Sequence, residues 1–323
     1  MKQPIFLTPV FKEKIWGGNH LSTEYGYTIP SDKTGECWAI SAHPNGVCKI
    51  AKGIYEGKLL TDIWDNHKEL FGNPKEDRFP LLTKILDAND DLSVQVHPDD
   101  TYGLAHEGDL GKTECWYILS AEPGAEIIYG HHAQTKEELR SMIASGQWDK
   151  LLRRVPVKQG DFFYVPSGTI HAIGKGIMVL ETQQSSDTTY RVYDYDRLGD
   201  DGNKRELHID KSIDVTNVPH QDPALVQKEV FQGKSSRLDL VRSSFFNVYL
   251  LTVVDQLNNR QSAPYSLVSV IEGKGQLLIE EEHQWTTYSL EKGQHFILPN
   301  GVKNWKLEGN MTLILAETED GRI

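Results

Sequence analysis

The amino-acid sequence predicts a mainly β protein of two successive β units, each a sandwich or barrel, with a few α-helices inserted in the N-terminal half. Three observations predict it. Short apolar runs separated by glycine, proline and polar turn residues fill most of the 323 positions. A helical period shows in two stretches, about 56–74 and 135–153, both in the first half. One pattern, Gly-x5-Pro-x-Gly, occurs twice, at 160–168 and 293–301.

Residues 1–55 read as strand and turn, with runs such as Cys37-Trp38-Ala39-Ile40 and Cys48-Lys49-Ile50-Ala51. Within 59–71, Leu60, Ile63, Trp64, His67, Leu70 and Phe71 recur every three or four residues, which predicts one amphipathic helix ended by Gly72-Asn73-Pro74. Leu81, Leu82 and Ile85 predict a short apolar element. The stretch 93–100 alternates, with Val94 and Val96 on one face and Gln95 and His97 on the other. Pro98 has no N–H to give to a ladder and marks the strand end. Gln95 and His97 therefore sit together at the rim of a sheet, facing a cavity.

Strands resume at 116–119 and 126–129, joined by a turn at Pro123-Gly124. Thr135 and Glu138 have capping-box spacing. Leu139, Met142, Ile143, Leu151 and Leu152 give the apolar face, and Gly146 divides this stretch into two short helices. Residues 194–206 read as a polar loop, whose Asp194, Asp196, Asp200 and Asp201 lack the fixed spacing of a calcium loop. His131 and His132, without a third partner, read as surface residues. The connector 217–235 leads to a strand-rich C-terminal stretch, so two domains are expected, 1–225 and 226–323.

The totals narrow the function. The chain has 34 Lys and Arg against 46 Asp and Glu, a net charge of −12, which argues against a nucleic-acid surface. It does not argue against a phosphorylated small substrate, for which two or three local cations suffice. Cys37, Cys48 and Cys115 show no paired spacing, and the N-terminus lacks the apolar core of a signal peptide. No run approaches the roughly 18 apolar residues of a membrane span. A soluble cytoplasmic protein is expected, as a monomer or weak homodimer.

In the repeat, glycine makes a turn, five strand residues follow, and Pro-x-Gly forms a corner. The residue three beyond the second glycine then begins the next strand, pointing inward: His171 in the first copy, Asn304 in the second. Upstream of each copy a strand–glycine turn–strand unit is expected, at 116–130 around Gly124 and at 267–279 around Gly273 and Gly275. Gly124 lies 42 residues before Pro166 and Gly275 lies 24 before Pro299, and the excess matches the helical stretch 135–153, which looks inserted. Both copies resemble the second motif of the cupin superfamily, and that resemblance implies a jelly-roll barrel for each unit.

If His171 points into the first barrel, Gln95, His97 and Glu114 are its neighbours. Two imidazoles, a carboxylate and an amide oxygen make an open mixed nitrogen–oxygen site, suited to a catalytic divalent metal, with zinc the first expectation. Blander roles exist for each: a satisfied core histidine for His97, a solvated edge charge for Glu114, and a hydrogen bond to His97 or substrate for Gln95. Arg191 could pair with Asp187 or Asp194, and Lys112 could be a loop charge. Asn304 predicts no metal in the second barrel.

Ser93-x-Gln95-x-His97-Pro98-Asp99, Gly111-Lys112-Thr113-Glu114, the His171 corner and Glu181 with Arg191 ten positions on resemble the type I mannose-6-phosphate isomerases, in their short form. Lys14-Ile15-Trp16-Gly17-Gly18 and Gly35-Glu36-Cys37-Trp38 strengthen the match, which covers most of 1–195. The resemblance implies one Zn2+ per chain held by Gln95, His97, Glu114 and His171, and interconversion of mannose 6-phosphate and fructose 6-phosphate through an enediol(ate). It implies Arg191 as an active-site residue, and a permanently charged fork suits substrate orientation and anion stabilisation better than proton removal. Lys112 and Glu181 are the candidates for proton transfer, Lys112 or Arg191 for the phosphate, and Ser93 and Trp16 for further substrate contacts. The rival readings are a non-enzymatic sugar-binding cupin and an iron oxygenase on the same barrel.

Overall fold

The computed structural model of the chain describes residues 3–199, 202–282 and 284–318. Asp200 and Asp201 of the polar loop lie outside the described residues. Strands dominate, in three antiparallel sheets. Two belong to the N-terminal module. Its six-stranded sheet runs Phe162–Val165, Glu114–Ala121, Ile177–Gln184, Leu81–Ala88, Val10–Gly18, Thr34–Ile40. Its five-stranded sheet runs Tyr190–Tyr193, Val94–Val96, His171–Ile173, Glu126–His131, Leu152–Pro156.

Alternation decides which side chains enter the module. Val94, Val96, Ile128 and Val192 turn outward onto the helices, packing with Leu139, Ile143, Leu151 and Ile213. The other face of that sheet, with Ile127, Tyr129 and Ile173, meets Trp16, Leu86, Trp116, Ile118 and Val179 in a second core. Gln95, between Val94 and Val96, therefore belongs to the inward face.

The helical stretches form where the period places them, with one correction. The 59–71 stretch is an α-helix, Leu60–Asn66, followed by a 3-10 turn, Lys68–Phe71. The backbone leaves helical geometry at His67, and Gly72 closes the turn at φ 79°. This break lets Trp64 and Phe71 pack together and against Phe79 and Tyr265. The second stretch is Lys136–Ala144 and Trp148–Leu151, separated at Gly146 with φ 63°. Three helices escaped the sequence reading: Asp100–His106, Ile209–Val215 and the single turn His20–Thr23. The first had a signal in Asp99, whose carboxylate accepts the Tyr102 N–H at 2.8 Å as an N-cap.

The C-terminal module supplies seven strands of a nine-stranded sheet, the other two being Ile5–Thr8 and Lys49–Ile50, and this sheet curls around its own core, which includes Leu251, Val268, Leu277, Phe296, Trp305, Leu307 and Leu313. The repeated glycines behave alike: Gly160, Gly168, Gly293 and Gly301 lie at φ 89°, 80°, 87° and 94°, a region that side chains disfavour. The surroundings of the second copy differ from expectation in two ways. Gly273 and Gly275 make no turn. Ser266–Glu281 is one continuous strand, and Gly273, at φ 74°, sits beside a register shift between Val270 and Glu272. Asn304 does not point inward; it is exposed and donates to Glu280 at 2.7 Å, while the next residue, Trp305, enters the core.

The modules share a third core containing Leu21, Cys37, Ile40, Leu60, Trp64, Leu81, Ile271, Ile297 and Ile314. They also share backbone, because Ile5–Thr8 pairs with His295–Leu298. The Tyr27 hydroxyl reaches the Gly293 carbonyl at 2.7 Å and His295 Nε2 at 2.8 Å, and His295 Nδ1 meets Ser269 Oγ at 2.8 Å. Cys37, Cys48 and Cys115 are buried free thiols. Among the described residues no helix is long and apolar enough to cross a membrane.

Candidate active site

Three strand ends converge inside the N-terminal module. His97 follows Val94–Val96, Glu114 opens Glu114–Ala121, and His171 opens His171–Ile173. The corner at Gly168 is tied to the opening strand by its N–H, which donates to the His97 carbonyl at 2.8 Å, and the Lys112 N–H donates to the Pro98 carbonyl at 3.0 Å. The residues free of the ladder at Pro98 are thus the ones that hold the two neighbouring loops.

His97, Glu114 and His171 present ligating atoms all within 4.8 Å of one another. His97 Nε2 lies 3.4 Å from Glu114 Oε2, and His171 Nε2 lies 3.3 Å from Glu114 Oε1. All three side chains are at most 1% exposed. His97 Nδ1 donates to the Thr188 carbonyl at 2.9 Å and His171 Nδ1 to the Thr169 carbonyl at 2.8 Å. A carbonyl only accepts, so each ring carries its proton on Nδ1 and turns a bare Nε2 to the site. The Gln95 amide ends 3.3 Å from His171 Nε2. An amide turned by half a rotation offers its oxygen there.

Charge at the site is arranged for a cation. Burial pulls the His97 pKa down to about 3, with Lys112 adding to it, and burial likewise lowers His171. Burial opposes the charge on Glu114, yet Lys112, His97 and His171 hold its carboxyl well below the usual carboxylate range. Neutral imidazoles beside a carboxylate are the protonation states that a divalent metal requires. His97 Nε2 and both Glu114 oxygens are buried without a hydrogen-bond partner, a costly condition for polar atoms unless a ligand completes them. These residues fit a divalent metal.

A second buried group adjoins the first in the same module. Lys112, 4% exposed, places Nζ 3.3 Å from Glu114. Glu181, 3% exposed, accepts the Trp116 indole N–H at 3.0 Å, and the Trp116 ring meets His171 edge-on at 5.3 Å. Burial, then the charge on Glu114, pushes the Glu181 carboxyl up to about 7. Register sets Glu181 between Lys84 and Trp116, and Lys84 beside Trp38.

Lys84 is the residue that sequence reasoning missed. It is 3% exposed, with Nζ 3.9 Å from Asp187 and 4.6 Å from the Trp38 ring centre. Glu36 accepts the Trp38 indole N–H at 2.7 Å; burial opposes its charge, but Lys84 and Lys14 bring its carboxyl down to about 2. The signal was a lysine in the middle of Leu81-Leu82-Thr83-Lys84-Ile85-Leu86, a strand buried along its whole length, where a charge needs a partner.

Arg191 stands in cross-strand register with Gln95, which is in register with His171. One row across three strands therefore carries all three. The Arg191 Nη1 donates to the Glu206 carbonyl at 2.8 Å, and its Nε is buried without a partner. Asp194 is taken by other cations, Arg197 at 2.8 Å and Arg205 at 2.6 Å. Asp187 faces Lys84. Ser93 is buried and shares the strand face of Gln95, while Trp16 packs in the core between the two sheets. His131 is buried rather than on the surface, with Nε2 2.9 Å from the Asn217 carbonyl.

Comparison with known proteins agrees with this geometry. Residues 5–119 match the model of the type I phosphomannose isomerase catalytic domain, and residues 236–318 match that of the mannose-6-phosphate isomerase cupin domain. A mannose-6-phosphate isomerase of Streptococcus mutans is 57% identical over 99% of this chain and 100% of its own. The chain belongs to the type I mannose-6-phosphate isomerase family. The family's ManA of Bacillus subtilis is 53% identical over 97% of this chain and 98% of its own. The crystal structure of a mannose 6-phosphate isomerase from Bacillus subtilis superposes with a TM-score of 0.95 at 51% identity, covering 98% of this chain and 100% of that one. A phosphomannose isomerase from Salmonella typhimurium shares the family fold at 18% identity, with a TM-score of 0.79 over 98% of this chain and 99% of that one. The enzyme class of the family is aldose–ketose isomerase.

Proposed function

We propose that this isomerase interconverts mannose 6-phosphate and fructose 6-phosphate through an enediol(ate), with one Zn2+ held by Gln95, His97, Glu114 and His171. The observation that carries the reading is the set of orphaned ligand atoms on His97 and Glu114, placed against Lys112 and a carboxyl, Glu181, whose pKa of about 7 lets it exist in either protonation state. The names of the Streptococcus and Bacillus relatives support the substrate.

Moving the carbonyl from C1 to C2 requires a proton to leave C2 and a proton to arrive at C1, while the hydroxyl proton passes between the two oxygens. Glu181 takes the carbon-bound proton and returns it; a group half-ionised near neutral pH serves both directions of a reversible reaction. Lys112 stays charged, because Glu114 and Glu181 outweigh the cost of its burial. It faces the negative oxygens that develop in the enediolate. The metal, when bound, supplies a Lewis acid that polarises the sugar carbonyl. Arg191 orients the open-chain sugar, and Trp16 holds the wall behind it. Arg197 and Arg205 are taken by Asp194 and Asp90, whereas Arg191 has no carboxylate ion pair among the described residues, and we assign the phosphate to Arg191, with Ser93 as a hydroxyl donor.

The same reading keeps the division of the chain at 225/226, a cytoplasmic location, a monomer or weak homodimer, and no role in nucleic-acid or membrane binding. The test is a coupled assay on mannose 6-phosphate with and without chelator, with metal analysis of the same samples. Turnover that survives complete removal of metal sinks the metal-assisted mechanism. A zinc-loaded protein that binds the sugar phosphate without turning it over is a sugar-binding cupin instead.

A further inference from the structure

Arg191 lies on the outer strand of the five-stranded sheet, where among the described residues no further strand covers its free edge. On the inner edge its pairing with Gln95 is followed by a register shift before Tyr193. Such an irregularity bends the strand and re-aims its side chains. The free edge is instead held by the segment 206–208. The His208 backbone N–H donates to the Arg191 carbonyl at 2.8 Å, and Arg191 Nη1 donates to the Glu206 carbonyl at 2.8 Å. The third bond is of another kind: the Arg191 backbone N–H donates to the ring nitrogen Nδ1 of His208 at 3.1 Å.

We propose that His208 is a positioning residue for Arg191, its neutral imidazole standing in for the missing neighbouring strand at the Arg191 N–H and so fixing where the guanidinium enters the site. The inference rests on the reading that Arg191 serves the isomerisation. Nδ1 accepts only while the ring proton is on Nε2, which faces the Glu206 carboxylate at 3.9 Å. A protonated ring offers a donor to a donor, and the anchor is lost. Burial resists that protonation; Glu206 and, farther off, Glu107 favour it, and Arg191 and Lys211 oppose it. The Tyr190 ring, 6.1 Å away, completes the surroundings, and its hydroxyl is committed to Glu107. The net direction is a lowered pKa, so the anchor is intact at neutral pH and fails on the acid side.

The experiment measures kcat and KM on mannose 6-phosphate from about pH 5 to pH 8, with metal content, for the wild type, His208→Ala, His208→Asn and Arg191→Ala. His208→Ala is expected to lower kcat about tenfold with KM within about twofold and metal content unchanged. His208→Asn, whose amide oxygen accepts from the same N–H and does not titrate, recovers most of that loss and removes the lower, second step from the acid limb of kcat, whose first step near pH 7 belongs to Glu181. Should His208→Ala match the wild type while Arg191→Ala is crippled, the inference fails and the role of Arg191 stands. Near-normal kcat in Arg191→Ala removes the reading beneath it. Where His208→Ala does not fold, an acid limb in His208→Asn of the same shape as that of the wild type, below the step that belongs to Glu181, overturns the proposal.

Discussion

The two β modules carry the same glycine corner and fill their interiors in opposite ways. In the N-terminal module His97, Lys84, Lys112, Glu114, His171 and Glu181 are all buried, and three of their polar atoms lack partners. At the matching corner of the C-terminal module, Trp305 enters a core of Leu251, Val268, Phe296, Leu307 and Leu313. Removing charges from water costs several kcal/mol per ion unless they compensate one another. The first module bears that cost because its charges alternate in sign, Lys112 against Glu114 and Lys84 against Glu36. The second buries fewer charges, Asp239 against Arg242 and Glu317 against the Ser266 hydroxyl, and contributes chiefly apolar burial. Reactivity and cohesion are thus divided between copies of one motif.

Four substitutions sharpen the division. The largest effect is expected from His171→Ala, which removes a ligand and leaves Glu114 less compensated: metal is lost and turnover falls by about 10³-fold or more, on the scale of losing a Lewis acid. Metal analysis beside the coupled assay reads both. Next, Leu313→Ala in the second core is expected to cost about 2–5 kcal/mol of stability, read in denaturant unfolding, while activity per folded molecule stays at the wild-type level. A comparable loss of turnover in that variant breaks the comparison. Arg191→Ala is expected to keep its metal and lose about 10²-fold in kcat. The smallest effect is that of Asn304→Ala, whose exposed side chain touches Glu280: no change in metal content, and less than about 0.5 kcal/mol in stability.

The buried histidine of the second module adds a pH test. Burial lowers the His295 pKa to about 3, against about 6.5 in the unfolded chain. A depressed histidine means that the unfolded chain binds the extra proton, so its share of the stability is complete above pH 6.5 and declines as the pH falls below it. The decline approaches about 1.4 kcal/mol per pH unit down to the folded value. His295→Gln should flatten that slope in unfolding curves measured with metal-free protein. An unchanged slope means that His295 is solvated.

Much of this was legible in the sequence because the signals were local. The glycines of the repeat announced a left-handed backbone, and Val94 and Val96 announced which way Gln95 and His97 face. What escaped was decided elsewhere in the chain. Gly273 reads as a turn, yet the fourteen-residue strand Asn304–Glu317 runs along both sides of it and keeps Ser266–Glu281 continuous. Asn304 aligns with His171 in spacing, but in a strand a one-residue offset exchanges inside for outside, and the bulk of Trp305 took the inside place. Lys84 hid in an apolar run because its partners, Glu36, Asp187 and Glu181, are far away along the chain. The strap on Arg191 comes from 206–208, with no periodic signal of its own.

The pairing of Ile5 with Ile297 has a consequence for how the molecule is made. Ile5–Thr8 pairs with Lys49–Ile50 on one edge early, but the partner of its other edge, His295–Leu298, is made only after most of the intervening chain. Until then Ile5, Phe6 and Leu7, each almost fully buried at the end, are an open apolar edge on a growing polypeptide. A contact of such sequence separation is slow to form and exposes the chain to mispairing meanwhile. Completion of the sheet around Ile5–Thr8 therefore waits for the C-terminal module, which closes over a segment made long before it.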